Sequence, residues 1–268
     1  MLCFPNAKIN LGLSVTGKRS DGFHNIETIF YPIPLCDILE VINSPDGTFT
    51  FTMSGLQIDG DPLSNLCVKA YQLLSNQFTI PAVKIHLHKV IPAGAGLGGG
   101  SSDGTFILKL LNNLFQLDIN ILDLQKYASI LGSDCVFFIE NKPALASGKG
   151  EVLQPCSVNL KKYHFVIVKP NVHITTVWAY SQITPQKPKF PVEAVVSLPI
   201  EKWKSMLFND FEEPVIEKFP VIGEIKQALY SQGAIFAAMA GSGSAVYGIF
   251  KKQIQPQPLF PGCFVWSY

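Results

Sequence analysis

Three absences narrow the reading of this 268-residue chain. None of its six cysteines, Cys3, Cys36, Cys67, Cys135, Cys156 and Cys263, stands in a C-x-x-C pair. That removes the usual zinc and dithiol spacings, favours a reduced, cytoplasmic setting, and leaves most of the thiols as expected small buried hydrophobes. There is no surplus of charge. Lys and Arg number 21 against 20 Asp and Glu, a net charge of +1, and the basic residues are scattered rather than striped. A small molecule is therefore the expected partner, and nucleic acid is not. Nor is there an unbroken apolar run. The longest uncharged stretch, 227–250, is interrupted by Gly233, Gly241, Gly243 and Gly248 and reads as strand, tight turn, strand rather than as a membrane span. Met1-Leu2-Cys3-Phe4-Pro5 lacks the basic region and apolar core of a signal peptide, so no leader is expected. No repeat or low-complexity block stands out, and Pro185 to Pro191 reads as an exposed connection.

What the chain does have is Pro92-Ala93-Gly94-Ala95-Gly96-Leu97-Gly98-Gly99-Gly100-Ser101-Ser102. Upstream, Val83, Ile85 and Leu87 alternate with Lys84, His86 and His88, the period of a half-buried strand. Downstream, Phe106, Ile107, Leu110, Leu111, Leu114 and Phe115 recur at helical spacing, so a helix is expected from near Ser101. Strand, glycine run, helix is the frame of a phosphate cradle. Glycine reaches positive φ and lets amides approach an anion, and the helix adds unpaired N–H groups at its positive end. A nucleotide is the leading ligand. A Walker A loop is excluded, because no Lys follows the glycines. Gly94-x-Gly96-x-x-Gly99 does match the dinucleotide fingerprint, with Asp118 near the ribose-acid spacing. The stretch after Asp118, however, opens another helix behind a capping pair, Asn120 and Asp123, where a Rossmann unit needs a strand. Gly104 weakens its helix by about 1 kcal/mol relative to Ala, which marks a crowded or a mobile turn.

Two further sites carry charge among apolar residues. Lys8 and Asn10 share one face of an otherwise apolar strand, where an ammonium calls for an anionic partner unless the strand edge is wet. Asp134, in Leu131-Gly132-Ser133-Asp134, either caps the next helix or is a functional acid. His86 and His88 lack a third ligand nearby and read as solvent-facing, so no metal site is expected. A turn at Gly148-Lys149-Gly150 sets a boundary between residues 1–150 and 151–268.

Taken together, Pro5-x-Ala7-Lys8-Ile9-Asn10-Leu11, Arg19-x-Asp21-Gly22-Phe23-His24, the run at 92–102, Leu131-Gly132-Ser133-Asp134-x-x-Phe137-Phe138, Gly148-x-Gly150-Glu151, Asn209-Asp210-x-Glu212 and Met239-Ala240-Gly241-Ser242-Gly243 resemble the GHMP kinases. The matches run in order from Pro5 to about residue 250. The resemblance implies an α+β, two-domain fold. Residues 1–150 would form a ribosomal protein S5 domain 2-like, ATP-binding domain and 151–268 a ferredoxin-like α/β sandwich. It implies phosphorylation by MgATP of the 2-hydroxyl of a cytidyl diphosphate polyol in non-mevalonate isoprenoid synthesis, by a cytoplasmic monomer or weak homodimer. By the family pattern Lys8 and Asp134 are the catalytic pair and Pro92 to Ser102 hold ATP. Asn10, Phe23, His24, Thr176 and Tyr180 would bind the cytidine, Phe23 and Tyr180 stacking on the base and His24 meeting its edge. Phe23 stands where the family often has Tyr, keeping the ring face without the hydroxyl. Two alternatives are a GHMP kinase for a sugar, homoserine or mevalonate-like alcohol, and a nucleotide-binding module without transferase activity. Retention of both Lys8 and Asp134 speaks against the module.

Overall fold

A computed structural model describes residues 1–58 and 61–268. The chain forms two compact units, and neither is a single stretch of sequence.

The first unit comprises Met1–Lys8, Pro32–Ala93 and Gly98–Lys142. Its sheet has the order β1 (Leu2–Cys3), β4 (Ile38–Asn43), β6 (Val83–Lys89), β5 (Thr50–Gly55); β5 runs parallel to β6 and the other neighbours are antiparallel. β6 buries Val83, Ile85 and Leu87 and turns Lys84, His86 and His88 outward, the expected alternation. His86 and His88 bond to the hydroxyls of Thr52 and Ser54 on β5. Helices α1 (Leu66–Ser75), α2 (Gly99–Leu114), α3 (Ile121–Leu131) and α4 (Ser133–Glu140) complete the unit. The start of α2 lies two residues ahead of the expected Ser101, because its N-cap is Gly98 in the left-handed region rather than a side chain. Gly104 is the crowded case: a Cβ there would lie 2.8 Å from the Leu66 Cβ, so glycine lets α2 and α1 close on each other. Asn120 caps α3 by accepting from Asp123 N–H.

The second unit comprises Ile9–Tyr31, Gly94–Leu97 and Pro143–Tyr268. One antiparallel sheet has the order β10 (Phe236–Met239), β11 (Val246–Phe250), β9 (His164–Lys169), β12 (Phe264–Ser267). A second sheet joins β2 (Asn6–Lys18), β3 (His24–Cys36), β7 (Ala144–Ser147) and β8 (Val152–Pro155) in that order, and the turn at 148–150 closes the β7–β8 hairpin. Short helices α5 (Thr176–Ser181) and α6 (Val192–Val196) precede α7 (Glu212–Lys218) and α8 (Pro220–Ser231). The core gathers Leu13, Val168, Phe211, Ile222, Leu229, Met239, Val246 and Phe250. The expected strand, turn, strand over 227–250 needs correction at its start. Residues 227–231 close α8, whose Ile222, Ile225 and Leu229 form one buried helical stripe. No described helix is long and apolar enough to cross a membrane.

Candidate active site

Three glycines of the 92–102 run, Gly94, Gly96 and Gly98, take positive φ of 59°, 77° and 71°, so the segment coils before α2 begins. Within the second unit, Gly96 lies against the turn that follows β10. A Cβ on it would fall inside the Ala240 carbonyl, and Ala245 N–H donates to Ala95 O at 3.2 Å. The second glycine loop, Met239 to Ala245, is thus a turn that packs on the first. Its shape is held by the Asn209-Asp210-x-Glu212 block. The Asn209 amide donates to Met239 O and Gly241 O at 2.9 and 2.8 Å, and Glu212 accepts from Met239 N–H at 2.7 Å. Asp210 accepts from Val15 N–H at 2.7 Å and ties in β2; burial raises its pKa.

Gly96→Ala combines left-handed strain with a collision against backbone, so it is expected to lose more than about 3 kcal/mol of stability or to abolish nucleotide binding. Gly47→Ala separates the two effects, since Gly47 has φ +70° and nothing within 4 Å. It should cost only about 1–2 kcal/mol. Thermal unfolding and nucleotide titration of both variants check this, and equal losses would refute the packing argument.

In the first unit, Lys8 Nζ lies 3.4 Å from Asp134 Oδ2; the lysine side chain is 5% exposed and the aspartate 35%. Asp134 sits in the first turn of α4, whose N-cap, Gly132, makes no side-chain bond, so the carboxylate is not a cap. Local sequence explains the meeting. Asn6, on Lys8's face of β2, exchanges amide hydrogen bonds with Asn141, which ends α4 two turns beyond Asp134. Thr105 and Lys109 of α2 hold α4 in turn, through Cys135 O at 2.9 Å and Ile139 O at 3.1 Å. The pair borders the glycine run: a Cβ on Gly98 would lie 3.1 Å from Lys8 Cγ and equally close to the Phe138 ring. Ser102, in the first turn of α2, is fully buried and its hydroxyl has no hydrogen-bond partner. A donor of that kind fits a phosphate oxygen or a cation at the helix start.

A second ion group lies beyond the sequence reading. Lys89 and Asp103 are buried, and Asp37 is fully so. Lys89 Nζ donates to Asp37 and, at 2.7 Å, to Asp103. Asp37 also accepts from Val90 and Ile91 N–H at 2.6 and 2.8 Å, just ahead of Pro92. The signal was in the strand period, since Lys89 falls on the same face as Val83, Ile85 and Leu87.

The cytidine candidates lie in the second unit. His24 stacks on Tyr180, with ring centroids 4.9 Å apart and planes 24° apart, and Phe211 meets Tyr180 edge-on. Phe23 is 56% exposed. His24 thus lies on the Tyr180 ring. Thr176 reaches Ser242 of the second glycine loop at 3.4 Å. Asn10 is buried, with its amide on the Thr28 hydroxyl at 3.1 Å and its carbonyl accepting from Tyr247.

A left-handed glycine run opening a helix, bordered by a Lys–Asp pair, defines an ATP-dependent kinase of small molecules. The GHMP kinases N terminal domain model matches residues 65–142 and the GHMP kinases C terminal model residues 192–258. The 4-diphosphocytidyl-2-C-methyl-D-erythritol kinase of Bacteroides fragilis is 52% identical over 94% of this chain and 93% of its own. That of Parabacteroides distasonis is 49% identical over 100% and 98%. A crystal structure of 4-(cytidine 5'-diphospho)-2C-methyl-D-erythritol kinase superposes with a TM-score of 0.84 at 30% identity, covering 100% of this chain and 98% of the other. The mevalonate kinase of Methanococcus jannaschii, TM-score 0.72 at 14% identity, shares the fold. The chain belongs to the GHMP kinases, in the 4-diphosphocytidyl-2-C-methyl-D-erythritol kinase family.

Proposed function

We propose that this chain phosphorylates the 2-hydroxyl of 4-diphosphocytidyl-2-C-methyl-D-erythritol with ATP, a step of non-mevalonate isoprenoid synthesis. The observation that carries the chemistry is the Lys8–Asp134 pair, 3.4 Å apart beside Gly98. The backbone N–H groups of 92–102 and the start of α2 cradle the phosphates. Asp134, the more exposed partner, accepts the proton of the substrate hydroxyl as its oxygen bonds to the γ-phosphorus and the bond to the ADP oxygen breaks. Lys8 orients that carboxylate and offsets charge building on the phosphoryl oxygens. The Ser102 hydroxyl and the Asp134 carboxylate would hold a Mg²⁺ arriving with ATP, which would supply neutralising charge to the phosphates. Phe23, His24 and Tyr180 supply aromatic faces and a ring edge to the cytosine, and Asn10 and Thr176 are further candidates to contact the substrate.

An ADP-release assay over several alcohols tests the reading. The cytidyl diphosphate substrate should exceed homoserine, mevalonate and galactose by at least about a hundredfold in kcat/KM, because a site built to hydrogen-bond one polar group penalises molecules lacking it. Equal or faster turnover of any of the other three would overturn the assignment.

A further inference from the structure

Thr28 of β3 is fully buried, and the Asn10 amide rests on its hydroxyl. A hydroxyl has a single proton to give and an oxygen that can accept. The Thr28 proton is already committed, since Oγ1 donates it to Gly12 O. Only glycine fits at that carbonyl: Gly12 takes φ of +66°, and a Cβ on it would lie 2.6 Å from Leu207 Cδ1. Thr28 Oγ1 is left as an acceptor. The NH2 end of Asn10 is therefore the end that faces it, and Asn10 Nδ2 donates there at 3.1 Å. An amide turned end for end would set its carbonyl oxygen against an oxygen with no proton to offer, a mismatch that burial makes costly.

The main chain of Asn10 is tied as well. Tyr247, fully buried, donates its hydroxyl to Asn10 O at 2.6 Å. With backbone and NH2 end both held, Asn10 Oδ1 is turned toward the second glycine loop, where a Cβ on Gly241 would lie 3.6 Å from it. Gly241 in turn lies against Gly96 of the 92–102 run; its Cβ would fall 3.1 Å from Gly96 O. Position 10 thus offers an acceptor, not a donor, toward the place where the two glycine loops meet. That is the end of the substrate that receives the phosphoryl group, and the donors it carries there are polyol hydroxyls.

We propose that Thr28 is a positioning residue. By fixing the Asn10 amide with its oxygen toward the glycine loops, it makes position 10 an acceptor that reads a hydroxyl of the polyol rather than the cytidyl diphosphate. The assignment rests on the substrate contact proposed above for Asn10.

Calorimetric titration of CDP and of the cytidyl substrate into the full-length chain, with the ADP-release assay, tests this. Thr28→Val keeps the shape of the side chain without its hydroxyl. It should weaken the cytidyl substrate about tenfold, the scale of one hydrogen bond, and leave CDP within about twofold. kcat/KM should fall by the same factor. Thr28→Ser should restore it to within about threefold, and Thr28→Cys, a weaker donor, should lie between. Where Thr28→Val does not fold, Ser and Cys still decide, and equal values for the two would overturn the proposal. Asn10→Ala should lose at least as much as Thr28→Val, and adding Thr28→Val to it should change kcat/KM by less than about twofold, because Thr28 acts through Asn10. If Asn10→Ala binds and turns over the substrate normally, the Asn10 contact falls and the role of Thr28 falls with it. If Asn10→Ala loses activity while Thr28→Val keeps its affinity, weakens CDP as much as the substrate, or adds its full loss to Asn10→Ala, the positioning role alone is refuted and the Asn10 contact stands.

Discussion

Asp134→Asn is expected to lower kcat by about two to four orders of magnitude, the range spanned by positioned acid–base groups, while KM for ATP changes little. The amide keeps the size of the carboxylate at the first turn of α4 but cannot take a proton from the acceptor hydroxyl. Asp134→Ala should lower kcat at least as far. It also removes the side-chain oxygen that the amide still offers to a lysine ammonium that is almost wholly buried, so it should unfold at lower temperature than the amide variant. Thermal unfolding alongside single-turnover phosphoryl transfer separates the chemical loss from the structural one. An amide variant that retains a tenth of normal turnover would remove Asp134 from the proposed mechanism.

Lys89→Met is expected to cost about 3–5 kcal/mol of folding stability near neutral pH, as when one partner is taken from a buried ionic cluster. Two carboxylates, Asp37 and Asp103, would be left facing each other without the ammonium that both now share. The loss has a pH signature. Burial pushes the Asp103 pKa up to about 8, with the Lys89 charge pulling it down and the Asp37 charge adding to the rise. An aspartate in an unfolded chain titrates near ~3.9. The folded protein therefore keeps a proton that the unfolded chain has released, and the contribution of Asp103 is fullest below about pH 4 and lost as pH rises through about 8. Without Lys89 the Asp103 carboxyl holds its proton more strongly, so the deficit of the variant should be larger at pH 8 than at pH 6. Guanidinium unfolding at the two pH values measures it. A deficit under about 1 kcal/mol, or one that shrinks toward pH 8, would contradict the role given to the cluster. Because Asp37 also holds Val90 and Ile91, nucleotide affinity should fall along with stability.

The candidate site was legible where chemistry is local to the sequence. A strand of period two, a glycine run and a helix of period 3.6 located the start of α2 to within two residues. A Lys among apolar neighbours demanded an anion, and Asp134 is that anion. The parts that could not be read are those made by side chains remote in sequence. A cap of α4 and a functional acid read alike at Asp134, and the Asn6–Asn141 amide pair that ties β2 to the end of α4 bridges 135 residues. Lys89 carried a readable sign in its strand parity, but its partners Asp37 and Asp103 sit on other elements with ordinary local patterns. The start of the uncharged stretch ending at Phe250 reads as strand because only its first residues, 227–231, belong to α8, whose buried stripe begins ahead of it at Ile222 and Ile225. The stacking of His24 on Tyr180 joins residues 156 positions apart, and no spacing rule reports it.

The contact between Gly96 and the Ala240 carbonyl is made wholly of main-chain atoms. Nothing projects across it that could grow on one side while shrinking on the other. Among diverging copies of this protein the two loops should therefore leave no pair of matched substitutions, and a map of correlated change drawn from many sequences would be blank at the place where the 92–102 run is seated on the turn after β10.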